Sequence, residues 1–221
     1  MHPLNPDLLF GSDIRRYFQD ASRGQPKRER TKALLLDAVI DAIATEGLHG
    51  ATIKEITERA GVAHGTFYNH FVSQDEAFLA AAIAITSEVF QVLETGPARP
   101  EQEDQALVMG LMMFMDIAIG IPAWGHVLVA TAGLVEGRSV KPIGALEEML
   151  RAGHSKGIFR VEVTDLLSHQ IRALQSVAIT KNLTGEVDRS DLIATCEAVL
   201  RVLGRTAEEA HGVVRKLMEG N

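Results

Sequence analysis

Residues 52–71, TIKEITERAGVAHGTFYNHF, decide the fold of the first part of this chain. Thr52 and Glu55 have the spacing of a capping box, in which each side chain bonds a backbone amide at a helix start. Gly61 then supplies the positive φ of a tight turn without steric cost, and a second short helix begins near His64. This succession of helix cap, glycine turn and second short helix predicts a helix-turn-helix, whose second helix enters the major groove of DNA. A plain helical hairpin with a glycine turn is the alternative.

The flanking residues favour an all-α chain. Apolar residues from Leu34 to Ile43 form one stripe of a 3.6-residue repeat, in a helix that Gly47 closes. Ser73 and Glu76 form a second capping box that opens a long helix to about Glu94. Residues 158–163 are the only candidate strand, and this segment is short. We therefore predict an all-α protein with an N-terminal three-helix DNA-binding domain followed by a helical domain.

Residues 31–79 closely resemble the DNA-binding domain of tetracycline-repressor-like (TetR-family) transcriptional regulators. The resemblance rests on Gly61-Val62, on Gly65-Thr66-Phe67-Tyr68 and on His70-Phe71, which have the spacing seen in the family. It implies a homodimer whose variable C-terminal helices bind a small molecule and form the dimer interface. It also implies that the following residues bind DNA: Thr52, Ala63, His64, Gly65, Thr66, Tyr68, Asn69 and His70.

Within that set the resemblance implies distinct roles. Thr52 caps its helix, Gly65 allows a close backbone approach, and Tyr68 and His70 bond phosphates. Asn69 is the candidate for direct base readout because an amide can pair bidentately with adenine, although a solvated polar residue is the alternative. The sequence departs from the family at Ala63, where a capping Ser or Thr is usual, and His64 carries no fixed charge.

The charge of the chain is distributed unevenly. Its 22 Lys+Arg and 29 Asp+Glu give a net of −7, which argues against indiscriminate binding to nucleic acid or membranes. Residues 15–32 nevertheless hold seven basic and two acidic side chains, a local net of +5 that leaves −12 elsewhere. A disordered basic tail is one interpretation. The other is a DNA-contacting arm, whose candidate phosphate ligands are Lys27, Arg28, Arg30 and Lys32.

Composition predicts three regions: a flexible arm (1–26), the helix-turn-helix domain (27–79) and a helical ligand-binding and dimerisation domain (80–221). Helices are expected at about 102–120, 123–135, 142–156, 164–184 and 190–218, the last with a kink or break near Gly204. The single cysteine, the lack of a signal sequence and the charged Asp116 in the longest apolar stretch (107–121) predict a cytoplasmic location.

The apolar helix over residues 107–121 is the expected site of the effector. Its methionines are adaptable side chains suited to an irregular ligand, although core packing is the alternative. Asp116 needs a partner if it is buried, with His126, His169 and Arg172 as candidates. The predicted ligand-binding residues are Met109, Met112, Met113, Asp116, Trp124, His126, His169, Arg172 and Gln175.

Two apolar helix faces predict a four-helix dimer interface, with packing inside one chain as the alternative. The residues are Leu167, Ile171, Leu174, Leu192, Cys196, Val199 and Leu203. Together these features predict a ligand-responsive repressor that binds a pseudo-palindromic operator as a homodimer. An activator of the same fold is the nearest alternative, and a helical carrier or enzyme is another. Since no nucleophile–base pair, phosphate loop or metal-binding spacing is present, we expect no enzyme activity, cofactor or metal.

Overall fold

The computed structural model describes residues 9–10, 14–95, 100–132 and 141–219. These residues form two compact units: the first comprises the described residues up to 88 together with 120–132, and the second comprises 89–119 together with 141–219. Helices are the regular secondary structure of both described units, which confirms the predicted all-α class.

A 3₁₀ turn (Ile14–Arg16) precedes the α-helices of the described chain. In order these are α1 (Tyr17–Ala21), α2 (Lys27–Gly50), α3 (Ile53–Ala60), α4 (His64–Tyr68), α5 (Gln74–Thr95), α6 (Glu103–Gly120), α7 (Pro122–Ala130), α8 (Lys141–Ser155), α9 (Asp165–Leu183), α10 (Arg189–Val202) and α11 (Ala207–Glu219).

The first unit is built around α2, against which α1, α3 and α7 pack. Pro26 begins α2, and Gly47 interrupts it with a φ of 70°, at the position where the sequence predicts its end. The apolar stripe of α2 is buried, with Leu35, Val39 and Ala42 fully enclosed. Ile56 of α3 and Phe67 of α4 complete this core at 0% exposure.

The two compact units divide at a different place from the domain boundary predicted between residues 79 and 80. The units divide at Glu88 and Val89, inside the continuous helix α5, and α7 belongs to the first unit because it packs on α2. The fully buried Trp124 of α7 is a large part of that packing.

The second unit contains α6, α8, α9, α10 and α11. The predicted last helix is broken at Gly204, whose φ of 88° ends α10 and allows α11 to start anew, which confirms the expected break. Thr206 and Glu209 form a full capping box, with N–H···O distances of 3.2 and 2.7 Å. The candidate strand at 158–163 is irregular coil that buries Phe159.

By length and composition, α5 is apolar enough to cross a membrane. The helices α6 and α7 meet the same criterion when they are taken together, although they are bent by 113° relative to each other. About 39% of the apolar window of α5 is buried within the protein. Core helices of water-soluble proteins meet the same criteria, so this finding is weak evidence for a membrane span.

Candidate DNA-binding interface

The turn between α3 and α4 has the geometry that the sequence predicts. Gly61 has a φ of 64° and a ψ of 32°, the left-handed conformation that favours glycine. Its N–H donates to the carbonyl of Glu58 at 3.1 Å, and that of Val62 donates to Thr57 at 3.0 Å. These bonds end α3 and direct the chain into α4. Val62, expected between the two helices, is half-buried.

Helix α3 is attached to α2 through one arginine. Arg59 forms ion pairs with Asp41, with Glu46 at 3.1 Å and with Glu55 at 3.0 Å. Burial alone would lower the pKa of Arg59, but Asp41 and Glu55 outweigh burial and raise it. Arg59 is therefore committed to holding the two helices together, and its guanidinium is engaged within the protein.

This arrangement also corrects the first predicted capping box. Thr52 accepts a hydrogen bond from the Glu55 amide at 3.2 Å, as expected. The Glu55 carboxylate, however, bonds Arg59, and the Thr52 N–H donates to the carbonyl of Gly50 at 2.8 Å. Only half of the box forms, because a cation on the next turn is a stronger partner for a carboxylate than a neutral amide.

Helix α4 presents its polar side chains outward. Phe67 and the following Phe71 are buried at 0% and 2% exposure and fix the helix on the core. Ala63 occupies its N-cap and provides no side-chain hydrogen bond. The remaining predicted DNA-binding residues of this helix and its C-terminal end are exposed or half-buried: His64, Gly65, Thr66, Tyr68, Asn69 and His70.

The basic residues predicted to form an arm lie instead in the first turns of α2. Lys27, Arg28, Arg30 and Lys32 are all exposed there. Burial lowers the pKa of His70, and the positive charges of Arg28 and Lys32 lower it further against the opposing effect of Glu29. The start of α2 and the end of α4 therefore share one electropositive surface.

The segment before α2, within the predicted arm, forms the 3₁₀ turn and α1 over residues 14–21. Asp37 of α2 accepts hydrogen bonds from the backbone N–H groups of Phe18, at 3.1 Å, and Gln19, at 2.8 Å. The Tyr17 hydroxyl donates to Glu88 at 2.6 Å, and burial together with Glu88 raises the pKa of Tyr17. Aromatic side chains of this segment pack against Trp124 of α7 and hold the segment in place.

Trp124 is the centre of that aromatic packing and is fully buried. The ring centroids of Phe10, Tyr17 and Phe18 lie 4.9, 5.4 and 6.0 Å from the indole. His126, on the same helix, is exposed at the surface of the first unit. The sequence could not predict this packing, because nothing in residues 1–26 indicates which helix they meet.

The other predicted ligand-binding residues lie in the second unit. Met109, Met112 and Met113 are buried within α6. The Asp116 side chain is 3% exposed, and it accepts bonds from both terminal nitrogens of Arg189, one of them at 3.2 Å. The sequence therefore missed Arg189, 73 residues away and at the start of α10.

The polar face of α9 is also engaged within the second unit. Arg172 pairs with Glu147 of α8, Gln175 is buried, and His169 Nδ1 lies 2.6 Å from the carbonyl oxygen of Asp165. Burial would raise the pKa of Glu147, but bonds from Ser168 and Arg172 lower it overall. The second carboxylate oxygen of Glu147 is buried and has no hydrogen-bond partner among the described residues.

The predicted dimer residues lie on or next to α9 and α10, and their role in a dimer stays a prediction. Leu167, Ile171, Leu192, Cys196, Val199 and Leu203 are buried within a single chain at 7% exposure or less, and Leu174 is half-buried. They form the core around α9 and α10, the packing that the sequence left as the alternative. Burial raises the pKa of the Cys196 thiol to about 12, which makes it an inert core residue. Leu166, Val177 and Val202 are the large apolar side chains that these helices expose, at 66%, 61% and 40%.

The described residues contain no group of His, Cys, Asp or Glu that could hold a metal ion. The site defined by the geometry is thus an exposed polar helix supported by a basic helix start, the arrangement of a helix-turn-helix DNA-binding protein.

Comparison with known proteins finds similarity to one family over the N-terminal domain. Residues 35–81 match the family model described as bacterial regulatory proteins, tetR family. An uncharacterized HTH-type transcriptional regulator of Mycobacterium tuberculosis is 32% identical over 96 residues, covering 43% of this chain and 49% of the relative. The HTH-type transcriptional regulator BetI of Klebsiella pneumoniae is 38% identical over 91 residues, covering 39% and 45%.

Solved structures extend the likeness to the fold of most of the chain. RolR in complex with resorcinol has a TM-score of 0.67 at 23% identity, covering 85% of this chain and 94% of RolR. The fatty acid degradation regulator FadR of Bacillus halodurans has a TM-score of 0.58 at 19% identity, covering 78% and 94%.

The N-terminal domain of this chain is thus similar to that of TetR-family regulatory proteins. The matched part spans about half the length of its curated relatives, which are named as transcriptional regulators and not as enzymes.

Proposed function

We propose that this protein is a ligand-responsive transcriptional repressor that binds a pseudo-palindromic DNA operator as a homodimer in the cytoplasm. The single observation that carries the proposal is the exposed polar face of α4, fixed on the core by Phe67 and Phe71 and placed beside the basic start of α2. Two such helices in a dimer would enter successive major grooves about 34–36 Å apart.

The effector would bind in the second unit. Its α6 is rich in buried methionines, which adapt to irregular ligands, and carboxylate–arginine pairs add a few polar groups. RolR is described in complex with resorcinol, and a further structural neighbour is described as a gamma-butyrolactone receptor, with a TM-score of 0.54. These names support a small organic effector for the present protein without fixing its structure.

Transmission of the signal would use α5. This helix is continuous through Glu88 and Val89, where the two units divide, so it is the proposed route by which a change in the second unit would affect the DNA-binding helices. A preference of the effector for the DNA-free state of about 1–3 kcal/mol would change DNA affinity 5–150-fold.

DNA binding is tested with the full-length protein and a duplex selected from a random library, measured by fluorescence anisotropy. We expect salt-sensitive, saturable binding by the wild type and a loss of about 1–3 kcal/mol of binding free energy for Asn69→Ala if this residue reads a base. Gln91→Ala removes an exposed amide from α5 and serves as the matched control. Selection of no duplex by the wild type would refute the proposal.

Repression and effector response need separate measurements. A reporter fused to the selected duplex should be less active with the protein than without it, whereas higher activity would identify an activator. Thermal shift with resorcinol and with a gamma-butyrolactone provides the first effector probes. A ligand that raises the melting temperature and releases the duplex supports the proposed mode of control.

A further inference from the structure

A basic groove lies on the first unit between the N-terminal segment and the start of α2. It has a volume of about 530 Å³ and is open to solvent. The residues that line it are Arg16, Gln19, Asp20, Ser22, Arg23, Gly24, Lys27, Arg30, Thr31 and Leu34. The groove is separate from the predicted DNA-binding residues of α4.

The groove is strongly positive. Four cationic side chains line it, and Asp20 is the one carboxylate among its lining residues. Asp20 pairs with Arg23 at 2.8 Å, but the Arg23 side chain is still 81% exposed. The remaining excess of three positive charges favours an anionic occupant.

Its outer wall is held in a fixed position. Asp37 is 7% exposed and accepts hydrogen bonds from the backbone N–H groups of Phe18 and Gln19, which fastens the start of α1 to α2. Phe18 is buried at 8% exposure beside Trp124. Arg16 and Arg23 flank this anchored helix, so their positions follow from the core of the unit and not from a mobile tail.

The groove and the predicted DNA-binding residues of α4 are connected through the first turns of α2. Lys27, Arg30, Thr31 and Leu34 recur at intervals of three and four and line the groove along one face of α2. Arg28 and Lys32, four residues apart, act on His70 at the end of α4 from a second face. Positive charge therefore continues around the first turns of α2, from the side that faces the end of α4 to the side that lines the groove.

We propose that this groove binds the sugar–phosphate backbone of DNA flanking the half-site that α4 reads, with Arg16 and Arg23 as phosphate ligands beyond the helix-turn-helix. The inference rests on the proposed DNA-binding function. The anion recognised is a phosphodiester, and continuity with the recognition surface assigns it to DNA and not to a free anion.

The test compares two duplexes that carry the same selected sequence, one ending at the minimal footprint and one extended by mixed-sequence DNA on both sides. Full-length wild type and Arg16→Ala/Arg23→Ala are titrated at several salt concentrations. Each lost phosphate contact lowers the log–log salt slope by about 0.9, so two lost contacts lower it by about 1.8 on the extended duplex. The affinity ratio of wild type to variant should then shrink about tenfold between 50 and 200 mM salt.

Controls separate charge, folding and source of the anion. Arg151→Ala removes an exposed cation from the second unit and should leave the slope unchanged, while Arg16→Gln/Arg23→Gln keeps most of the side-chain packing and should reproduce the double-alanine result. Equal slopes for wild type and both groove variants on the extended duplex would overturn the inference, as would an equal loss on the minimal duplex.

Calorimetric titration of the protein with inorganic tripolyphosphate tests for a free-anion site. Tight binding of tripolyphosphate without any effect of flanking DNA would identify such a site and would also overturn the inference. Failure of the proposed function itself is distinct, because the wild type would then select no duplex.

Discussion

Ala63 begins the recognition helix in extended conformation, with a φ of −65° and a ψ of 145°, but offers no side-chain oxygen to the free amides of α4. The Thr66 N–H donates to the Ala63 carbonyl at 2.8 Å, while His64 and Gly65 are exposed at this end of α4, the end that enters the major groove in helix-turn-helix proteins. The same residue thus affects both the stability of α4 and the groups available to DNA.

We expect Ala63→Ser to raise the free energy of unfolding by about 0.5–1 kcal/mol, because serine can accept a hydrogen bond from a first-turn amide. Denaturant unfolding followed by circular dichroism measures the change. Ala63→Gly supplies the control, since it permits the same backbone conformation without the bond and should not give the full stabilisation. Equal stability of the serine variant and the wild type would contradict this reading of the cap.

His70 senses the charge around the end of α4. Burial and the charges of Arg28 and Lys32 lower its pKa below 6.5, so folding disfavours its protonation. The unfolded chain therefore takes up this proton more readily, and the stability contribution of His70 falls as the pH drops through 6.5 towards the folded pKa. DNA phosphates act in the opposite direction, because they stabilise the protonated ring.

DNA binding should therefore take up a proton at His70. Between pH 7.5 and 6.0 we expect the affinity of the wild type to rise, by at most about tenfold per pH unit for one proton. His70→Gln should flatten this dependence, whereas His126→Gln, which alters an exposed histidine on α7, should not. Identical pH profiles for the wild type and His70→Gln would remove His70 from the interface.

At the scale of elements, ion pairs between distant segments order the second unit. Asp116 of α6 pairs with Arg189 of α10, Asp104 of α6 pairs with Arg205 at 2.7 Å, and both carboxylate side chains are under 5% exposed. Sequence reasoning identified Asp116 as a buried carboxylate that needs a partner, but its candidates did not include Arg189. A partner 73 residues away is set by how the helices cross, which local pattern does not specify.

Arg189→Ala should lower the free energy of unfolding by about 2–3 kcal/mol, because Asp116 loses both bonds to Arg189 while staying buried. Thermal and denaturant unfolding of the full chain measure this loss. Arg201→Ala, on the exposed side of the same helix, is the control and should change stability little.

The paired variant Asp116→Leu/Arg189→Met should recover most of the loss, since an apolar pair of similar size avoids the buried charge. If Arg189→Ala were as stable as Arg201→Ala, the ion pair would contribute nothing to the stability of α6 and α10.

At the scale of the whole molecule, the proposed homodimer would use apolar side chains that one chain leaves exposed. Leu166 and Val177 of α9 are eleven residues apart, close to three full turns, and so lie on the same helix face; Val202 of α10 adds a third exposed apolar group. These exposed residues form a second candidate surface beside the predicted dimer residues, which are buried or half-buried in a single chain.

Val177→Glu is expected to shift the protein from dimer towards monomer, because it places a charge in an apolar contact surface. Analytical ultracentrifugation over a range of concentrations measures the shift, and circular dichroism verifies the fold. Val72→Glu changes the most exposed large apolar residue, at 83%, outside α9 and α10 and should leave the oligomeric state as it was. A Val177→Glu protein that is as dimeric as the wild type would exclude this face.

Several features of this protein follow from its sequence alone. The all-α class, the turn at Gly61, the break at Gly204 and the outward polar face of α4 are all local, because each depends on glycine geometry or on helical periodicity within a few residues. The tertiary structure decided the rest: that the residues from Ile14 onward pack on Trp124, that Arg189 meets Asp116, and that the periodic leucines of α9 and α10 are core. The physical reason is that an apolar stripe or a buried charge in the sequence indicates only that a packing or pairing partner is needed. The way in which distant helices cross determines which residue becomes that partner.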